Sequence, residues 1–194
     1  MYSQLKRVVA LAFALGTLAG CSSDTGRANA TPLAPTSVAS SDLIGTLAST
    51  VTYVTGLERT APLPVAVTVT RTIGSDGGVL AIPSAGVVVT IPRGALVAPT
   101  VVSMTARAGP LVAYDFAPHG ITFAKPIDFS QSLAGTNANP LSALSMKLGY
   151  YSGSSALTKV GAYVSELISG TVSLLTWTFD AKISHFSGYI VSCG

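Results

Sequence analysis

Short runs of alternating β-branched and small residues, each closed by glycine or proline, constrain this chain more than any other feature. Val65, Val67 and Val69 alternate with Ala and Thr, which is the period of a strand covered on one face. The segment Ser75–Gly78 predicts a turn, because adjacent glycines accept positive φ without a Cβ clash. Since such runs recur along most of the chain, the sequence predicts an all-β fold, an antiparallel β-sandwich.

The first half of the pattern divides into regular strands. Strands are predicted over residues 65–70, 79–82, 87–91, 100–107, 112–116 and 121–123, followed by a polar loop over 135–140. Pro83, Pro92 and Pro126 are interpreted as strand ends, because proline cannot donate to a ladder.

The second half repeats the pattern less regularly. Strands are predicted over residues 144–151, 171–179 and 183–191, while 162–168 is ambiguous, with strand favoured. Within 171–179 the apolar phase shifts by one residue, which predicts a β-bulge near Leu174 and Leu175.

Composition and charge exclude two broad classes of protein. Apolar residues make up 48% of the chain and charged residues 10%, so a core can form and too few charges repel to keep the chain disordered. Lys6 and Arg7 lie in a segment expected to be removed. No Lys/Arg patch then remains to neutralise phosphates, so no nucleic-acid partner is expected.

The first twenty-one residues have the layout of an export signal. Lys6 and Arg7 precede an apolar run over residues 8–20, which as a helix would be roughly 20 Å long, against a bilayer core of roughly 30 Å. The run ends in a Leu-Ala-Gly-Cys motif that resembles the lipobox of bacterial lipoproteins, in which the cysteine is lipidated and becomes the first residue after cleavage. Residues 1–20 are therefore predicted to be a lipoprotein signal peptide and Cys21 a lipidated residue. An ordinary secretory signal is the alternative.

Two segments separate the signal peptide from the predicted domain. Residues 21–41, rich in Ser, Thr, Ala and Pro, predict a disordered tether that begins with the lipidated cysteine. Residues 42–61 predict either a short amphipathic helix, from apolar residues at spacings of four, four and three, or an apolar strap against the domain edge. The sandwich domain is predicted over residues 62–194.

The cysteine count bears on redox chemistry and on metals. Cys193 is the one cysteine besides Cys21, and a lipidated Cys21 cannot pair with it, so Cys193 is predicted to be a free thiol. Two Cys and two His far apart in sequence have no zinc-ligand spacing. Neither a metal nor another cofactor is expected.

Motifs near both ends of the predicted domain resemble one family. GGVLAIP at 77–83 and GVVVTIPRGAL at 86–96 resemble the opening of the ZU-five domain, the β-sandwich module of ankyrins, netrin receptors, tight-junction scaffolds and many bacterial exported proteins. PHGITFAKPI at 118–127 resembles a later segment of that family, and HFSGY at 185–189 resembles its closing strand. The resemblance covers about residues 77–189 and fades between 131 and 175. It implies an interaction or spacer module rather than an enzyme.

Residues for conventional catalysis are scarce. The sequence has no G-x-S-x-G, Walker A or G-x-G-x-x-G motif, and its acidic residues are isolated. His119, between a proline and a glycine, is interpreted as a turn residue. A conventional enzyme is therefore not expected.

The tripeptide His185-Phe186-Ser187 is the exception. In some animal members of the ZU-five family this tripeptide is a self-cleavage site. The resemblance implies that the Ser187 hydroxyl attacks the Phe186 carbonyl, with His185 as the base or orienting group. In the alternative, Phe186 and Tyr189 fill the core, while His185 and Ser187 make ordinary hydrogen bonds.

Four aromatic residues form a further candidate site. Tyr150, Tyr151, Tyr163 and Trp177 could stack on sugar rings from an exposed sheet face. Core filling is the alternative, since large aromatic side chains in a sandwich are usually buried.

These features predict a membrane-anchored, exported lipoprotein of the bacterial cell envelope with a monomeric β-sandwich interaction or spacer module. Its first partner would be the membrane, through the lipid on Cys21, and an envelope protein or a glycan would be a second. Ser22 provides no acidic retention signal, which favours the outer membrane over the inner one.

Overall fold

A computed structural model describes residues 50–193, and these form a strand-rich domain. The strands are β1 (Thr52–Thr55), β2 (Glu58–Leu63), β3 (Val67–Ile73), β4 (Gly78–Ile82), β5 (Val87–Ile91), β6 (Thr100–Ala106), β7 (Gly109–Leu111), β8 (Ala113–Ala117), β9 (Thr122–Ser132), β10 (Lys147–Tyr151), β11 (Gly161–Val164), β12 (Glu166–Ser173), β13 (Thr178–His185) and β14 (Gly188–Ser192). The described helices are one α-helical turn, α1 (Pro140–Ala143), and two 3₁₀ turns, Pro83–Ala85 and Ser154–Ala156. None of these is long and apolar enough to cross a membrane. The predicted all-β fold is confirmed.

Ten of the strands form one antiparallel sheet that curves over on itself. Their order is β3-β6-β8-β14-β10-β12-β13-β9-β5-β4, and the two end strands, β3 and β4, lie close to each other. Two short antiparallel pairs, β1 with β11 and β2 with β7, form separate two-stranded sheets. Chain segments far apart in sequence therefore meet throughout the domain.

Strand β12 passes from one layer of the sandwich to the other. Its first half, 166–169, pairs with β10, and its second half, 170–173, pairs with β13. At the change lies Gly170, where a Cβ would come within 2.4 Å of the Phe179 ring and 2.5 Å of the Asp180 carbonyl oxygen. The absent side chain is what allows β13 to approach so closely.

The core lies between the two layers and follows the predicted alternation. On β5 the side chains of Val87, Val89 and Ile91 are buried, while the two between them are exposed. Strands β4 and β5 lie within one residue of their predicted bounds. The predicted Ser-Asp-Gly-Gly turn before β4 is also confirmed, and Gly77 in this turn has a φ of 79°.

Residues 171–179 form a hairpin and not a bulged strand. A turn over 174–177 joins β12 to β13, and Leu175 is 96% exposed. Trp177 adopts a left-handed φ of 51° in this turn. The predicted β-bulge near Leu174 and Leu175 is therefore wrong, because the shift in apolar phase marks a reversal of the chain, where the two leucines point to solvent.

Residues 183–191 form parts of two strands. β13 ends at His185 and β14 begins at Gly188, and in the sheet these strands are separated by β10 and β12. The single predicted strand is therefore wrong. The chain crosses between layers at Phe186 and Ser187. The alternation of apolar and polar residues continues through this crossing and therefore does not indicate it.

Strand β9 runs on through Pro126, which was predicted to end a strand. The pairing of β9 with β13 is irregular around this proline, because Ile127 pairs with Ile183 and Thr122 with His185, which leaves residues 123–126 opposite a single residue of β13. A proline is tolerated where the ladder is already interrupted, so the strand continues to Ser132.

The helix interpretation of residues 42–61 is wrong for its described part. Residues 52–55 pair with β11 and residues 58–63 with β7, so the domain begins before residue 62. β-branched Thr52, Val54 and Thr55 favour a strand, and the strand partner is far away in sequence. The predicted signal peptide, the tether and residues 42–49 lie outside the described residues.

Candidate functional site

The His185-Phe186-Ser187 tripeptide lies at the crossing between β13 and β14. Phe186 is buried, stacked on Phe116 at a centroid distance of 5.0 Å and edge-to-face with Phe123 at 4.8 Å. Phe186 therefore fills the core, as the alternative interpretation of the tripeptide expects.

The imidazole of His185 contacts side chains on three other strands, β10, β12 and β14. Its Nδ1 lies 3.2 Å from the Tyr189 hydroxyl, which donates to the His185 carbonyl at 2.9 Å. Its Nε2 lies 3.5 Å from a carboxylate oxygen of Glu166, and the Tyr150 ring meets the imidazole edge-on. Burial, followed by the charges of Glu166 and Tyr150, raises the pKa of Tyr189, so its hydroxyl keeps its proton.

Backbone hydrogen bonds hold the peptide between Phe186 and Ser187 on both sides. The Phe186 carbonyl accepts from the Gly120 amide at 3.1 Å, and the Phe186 amide donates to the Ile121 carbonyl at 2.9 Å. The Ser187 carbonyl accepts from the Phe116 amide at 3.0 Å. Neither Phe186 nor Ser187 has a positive φ. Within residues 50–193, no hydrogen bond joins the imidazole of His185 to Ser187. Self-cleavage here stays a prediction.

The four aromatic residues predicted as a platform do not share one exposed face. Tyr151 is buried, so its place in a sugar-stacking surface is corrected to a core position. Trp177 is half-buried in the hairpin turn, where it packs against the core, and Tyr150 packs beside His185. Tyr163 is the one of the four that is exposed. His119 lies in an exposed turn, as predicted.

Tyr151 instead anchors a half-buried polar network. Its hydroxyl lies 2.9 Å from a carboxylate oxygen of Asp115 and 3.0 Å from the Tyr114 carbonyl. The other oxygen of Asp115 accepts from the Arg107 guanidinium. Burial, with the charge of Asp115 second, raises the pKa of Tyr151. The network therefore fixes Arg107 at the edge of an open cavity.

This cavity has a volume of about 450 Å³. Its lining is mostly apolar and includes two basic residues, Arg107 and Lys159. The lining residues are Arg107, Ala108, Pro110, Leu111, Ala113, Leu157, Thr158 and Lys159. A volume of this size lies in the usual range for small-ligand pockets.

A pair of exposed tyrosines stands beside the cavity. Tyr53 on β1 and Tyr163 on β11 lie directly opposite each other and pack edge-to-face, with centroids 5.2 Å apart. Tyr53 is 43% exposed and Tyr163 51% exposed. The Tyr53 hydroxyl lies 3.3 Å from Oγ1 of Thr158, which lines the cavity. We call the tyrosine pair and the cavity together the β1/β11 surface.

Sequence reasoning missed most of the β1/β11 surface. The sequence indicates Tyr163 as a candidate binding residue, whereas Tyr53 lies in a segment interpreted as a helix or strap. The two side chains approach each other only because β1 pairs with β11. Arg107 and Lys159 are 52 residues apart in the chain and had no motif to connect them.

Cys193 is buried and disulfide-bonded, so the predicted free thiol is corrected. The prediction assumed that lipid occupies Cys21, which is the chain's one other cysteine and lies outside the described residues. One sulfur cannot hold both a lipid thioether and a disulfide. A lipid on Cys21 and a disulfide from Cys21 to Cys193 are therefore mutually exclusive states.

Comparison with known proteins adds no relative. No protein-family model matches the chain, and no curated protein matches it significantly. The ZU-five resemblance therefore depends on the quoted motifs alone. Within residues 50–193, no three His, Cys, Asp or Glu side chains group closely enough to hold a metal ion.

Proposed function

We propose that this protein is an exported bacterial lipoprotein whose ZU-five-like sandwich binds a partner in the cell envelope and carries out no conventional enzymatic reaction. The basic start, the apolar run and the Leu-Ala-Gly-Cys motif support the lipid anchor on Cys21. The absence of an acidic residue at position 22 supports the outer membrane.

The observation that carries the binding function is the β1/β11 surface. Tyrosine and arginine are enriched at protein interfaces, and an exposed tyrosine pair offers a large contact area with few rotatable bonds to immobilise. The neighbouring cavity is lined mostly by apolar groups and includes two basic residues. Arg107 is paired with Asp115, whereas Lys159 forms no ion pair within residues 50–193. The lining therefore suits a partner that presents an apolar group beside an acidic one.

The position of this surface suits a tethered protein. Strand β1 is the first described strand after the predicted tether, so the surface would lie on the side of the domain where the tether enters. As a flexible chain, the predicted tether over residues 21–41 would have an end-to-end distance of roughly 25 Å. A partner close to the membrane would be within reach.

The anchor is tested by replacing Cys21 with Ala and following membrane fractionation. We expect the variant to leave the membrane fraction, because each buried acyl methylene contributes about 0.8 kcal/mol to anchoring. Cys193→Ala is the matched control and should stay with the membrane. A Cys21→Ala variant that still fractionates with membranes would contradict the anchor.

Mass spectrometry of the peptide that contains Cys21 addresses the same point independently. We expect a diacylglyceryl adduct on Cys21 in protein isolated from membranes. A peptide in which unlipidated Cys21 is linked to Cys193 would contradict lipidation and assign the disulfide to that pair.

The binding surface is tested by photocrosslinking in the native envelope. A photoreactive residue at Tyr53 should give one reproducible adduct, and Tyr163→Ser should weaken it. The control position is Val79, which is equally exposed, at 42%, on strand β4. Adducts that are equal at both positions, or missing at both, would count against the surface, and an adduct with glycan alone would favour a polysaccharide-binding module.

A further inference from the structure

The most exposed leucine side chains of residues 50–193 lie on two turns. Leu174 and Leu175, which are 66% and 96% exposed, belong to the turn between β12 and β13. Leu141, 81% exposed, lies on α1, and Leu144, 82% exposed, follows that helix directly. Single exposed apolar residues are ordinary on a protein surface, but four leucines as exposed as these on two turns need an explanation.

The two turns lie at the same end of the sandwich. The first residue of β13 pairs with the last residue of β9, so the hairpin turn and the segment that follows β9 leave the sheet side by side. The Leu133 amide donates to the Trp177 carbonyl at 2.9 Å and joins the two segments directly. We call residues 133–146, which include α1, and residues 174–177 together the leucine end.

The leucine end carries no charged side chain. Neither of its two segments contains Asp, Glu, Lys, Arg or His. Two neighbouring turns, 60–66 and 83–86, are uncharged as well. They adjoin the leucine end because the Thr60 amide donates to the Gly135 carbonyl and the Gly86 carbonyl accepts from the last residue of β9.

The opposite end of the sandwich is different. There β4 begins and β5 ends, and the turns carry Asp76, Arg93 and His119. Asp76 and Arg93 form an exposed ion pair across two of these turns. Charge is therefore distributed unequally between the two ends, and the most exposed leucines lie where it is absent.

An uncharged end with exposed leucines suits the interface of a lipid bilayer. Moving a charged group out of water is costly, and the leucine end avoids that cost. Trp177, in the hairpin turn, is half-buried, and tryptophan is enriched at the level of the lipid headgroups. The exposed Lys147 follows the leucine end directly, where its ammonium suits the phosphates of those headgroups.

The shape of the leucine end favours a bilayer over a protein partner. Leu175 lies at the tip of a hairpin and is almost fully exposed, so it projects from the domain and does not line a groove. A protein partner would need a matching pocket for each projecting side chain, whereas lipid molecules rearrange around it. The predicted lipid on Cys21 and a tether of roughly 25 Å would also hold the domain close to a bilayer.

We propose that the leucine end inserts into the interface of the bilayer that holds the lipid on Cys21. Its four leucines enter the boundary between headgroups and acyl chains, and the charged opposite end stays in water. The domain thereby has a fixed orientation on the membrane. This inference rests on the lipid anchor of the proposed function but not on the β1/β11 surface.

The test uses the fluorescence of Trp177, which is the one tryptophan of the chain. The lipidated chain is reconstituted into vesicles of phosphatidylethanolamine and phosphatidylglycerol, with and without bromine on the acyl chains. We expect the brominated lipids to quench Trp177, because the hairpin turn lies at the depth of the upper acyl chains. Its emission in plain vesicles should also shift to shorter wavelength than in the unlipidated Cys21→Ala chain without lipid.

Aspartate substitutions connect the quenching to the leucine end. Leu144→Asp, outside the hairpin turn, and Leu175→Asp, within it, should each reduce the quenching, because a carboxylate opposes insertion. Val97→Asp is the matched control, since Val97 is 90% exposed at the opposite end, and it should be quenched as wild type is.

Flotation of the same vesicles separates the two ways in which the experiment can fail. A chain that floats with the vesicles but whose Trp177 is not quenched would overturn the insertion and leave the anchor in place. A chain that does not float would overturn both. Sedimentation of the Cys21→Ala chain without lipid examines a second copy as the partner, and a dimer that Leu175→Asp dissociates would overturn the proposal.

Discussion

Phe186 shows how a residue that suggests chemistry in the sequence can be fully occupied by packing. It lies where the chain crosses between the two layers, in contact with the rings of Phe116 and Phe123. His185 contacts Glu166, Tyr189 and Tyr150 on three different strands. The Ser187 carbonyl accepts from the Phe116 amide on β8. The tripeptide is therefore a junction of the sandwich.

Replacing Phe186 with Ala should lower the free energy of unfolding by about 3 to 5 kcal/mol, because a fully buried ring is lost and a cavity remains. Leu175→Ala, at an exposed turn position, should change it little. Urea unfolding of both variants measures the difference. Equal losses would mean that the crossing is not packed as described.

Self-cleavage between Phe186 and Ser187 predicts that the last eight residues, 187–194, separate from the chain under denaturing conditions. Intact mass measurement of freshly folded protein detects this, and Ser187→Ala should abolish it. A full-length mass that is the same in wild type and variant would leave the tripeptide with its structural role alone.

Tyr151→Phe should lower the free energy of unfolding by about 1 to 3 kcal/mol, because it leaves the carboxylate of Asp115 without one of its hydrogen bonds. Tyr163→Phe is the matched control, since this residue is 51% exposed and its hydroxyl makes no hydrogen bond within residues 50–193. Unfolding curves of the two variants under identical conditions make the comparison. A Tyr151→Phe variant as stable as Tyr163→Phe would exclude the Tyr151–Asp115 bond as a stabilising contact.

At the scale of elements, β12 is the strand on which the two layers depend. It pairs with β10 through its first half and with β13 through its second, so this strand connects the two layers of the ten-stranded sheet. A strand can change partners in this way only where the crossing backbones approach closely, and Gly170 provides that approach.

Gly170→Ala should therefore destabilise the domain by about 1 to 3 kcal/mol, because the new methyl group would overlap the Phe179 ring and the Asp180 carbonyl. Gly153→Ala is the control, since a Cβ there meets no atom within 4 Å and the backbone is extended. Thermal unfolding followed by circular dichroism measures both. If the two variants melt alike, the close approach at β12 is not a constraint.

At the scale of the whole molecule, three buried tyrosines make stability sensitive to alkali. Burial raises the pKa of Tyr114 to about 12 from an ordinary value of 10.0, and it raises those of Tyr151 and Tyr189 as well. Above pH 10 the unfolded chain loses these protons before the folded chain does. The stabilisation is thus complete below pH 10 and is lost as the pH rises through the folded-state values.

We expect the free energy of unfolding to fall above pH 10 by up to about 1.4 kcal/mol per pH unit for each of these tyrosines. Urea unfolding at a series of pH values measures the slope. Tyr114→Phe should make the slope smaller, and Tyr163→Phe should leave it as in wild type. A slope that Tyr114→Phe does not change would contradict the burial of that phenol.

The sequence by itself determined the local part of this structure. Alternation of apolar and polar side chains specifies which residues of a strand face the core, and Gly or Pro ends the run, so β4, β5 and the turn before them followed from neighbouring residues. The conformation of each of these segments depends on residues within the segment or directly beside it.

Only the tertiary structure decided which strands meet, and with them the candidate sites. Tyr53 and Tyr163 become a pair because β1 joins β11, and the two segments of the leucine end meet because β9 pairs with β13. His185 acquires Glu166 and Tyr189 as partners because the chain changes layer after β13. Contacts of this kind depend on the order of strands in the sheet, which periodicity within one strand does not encode.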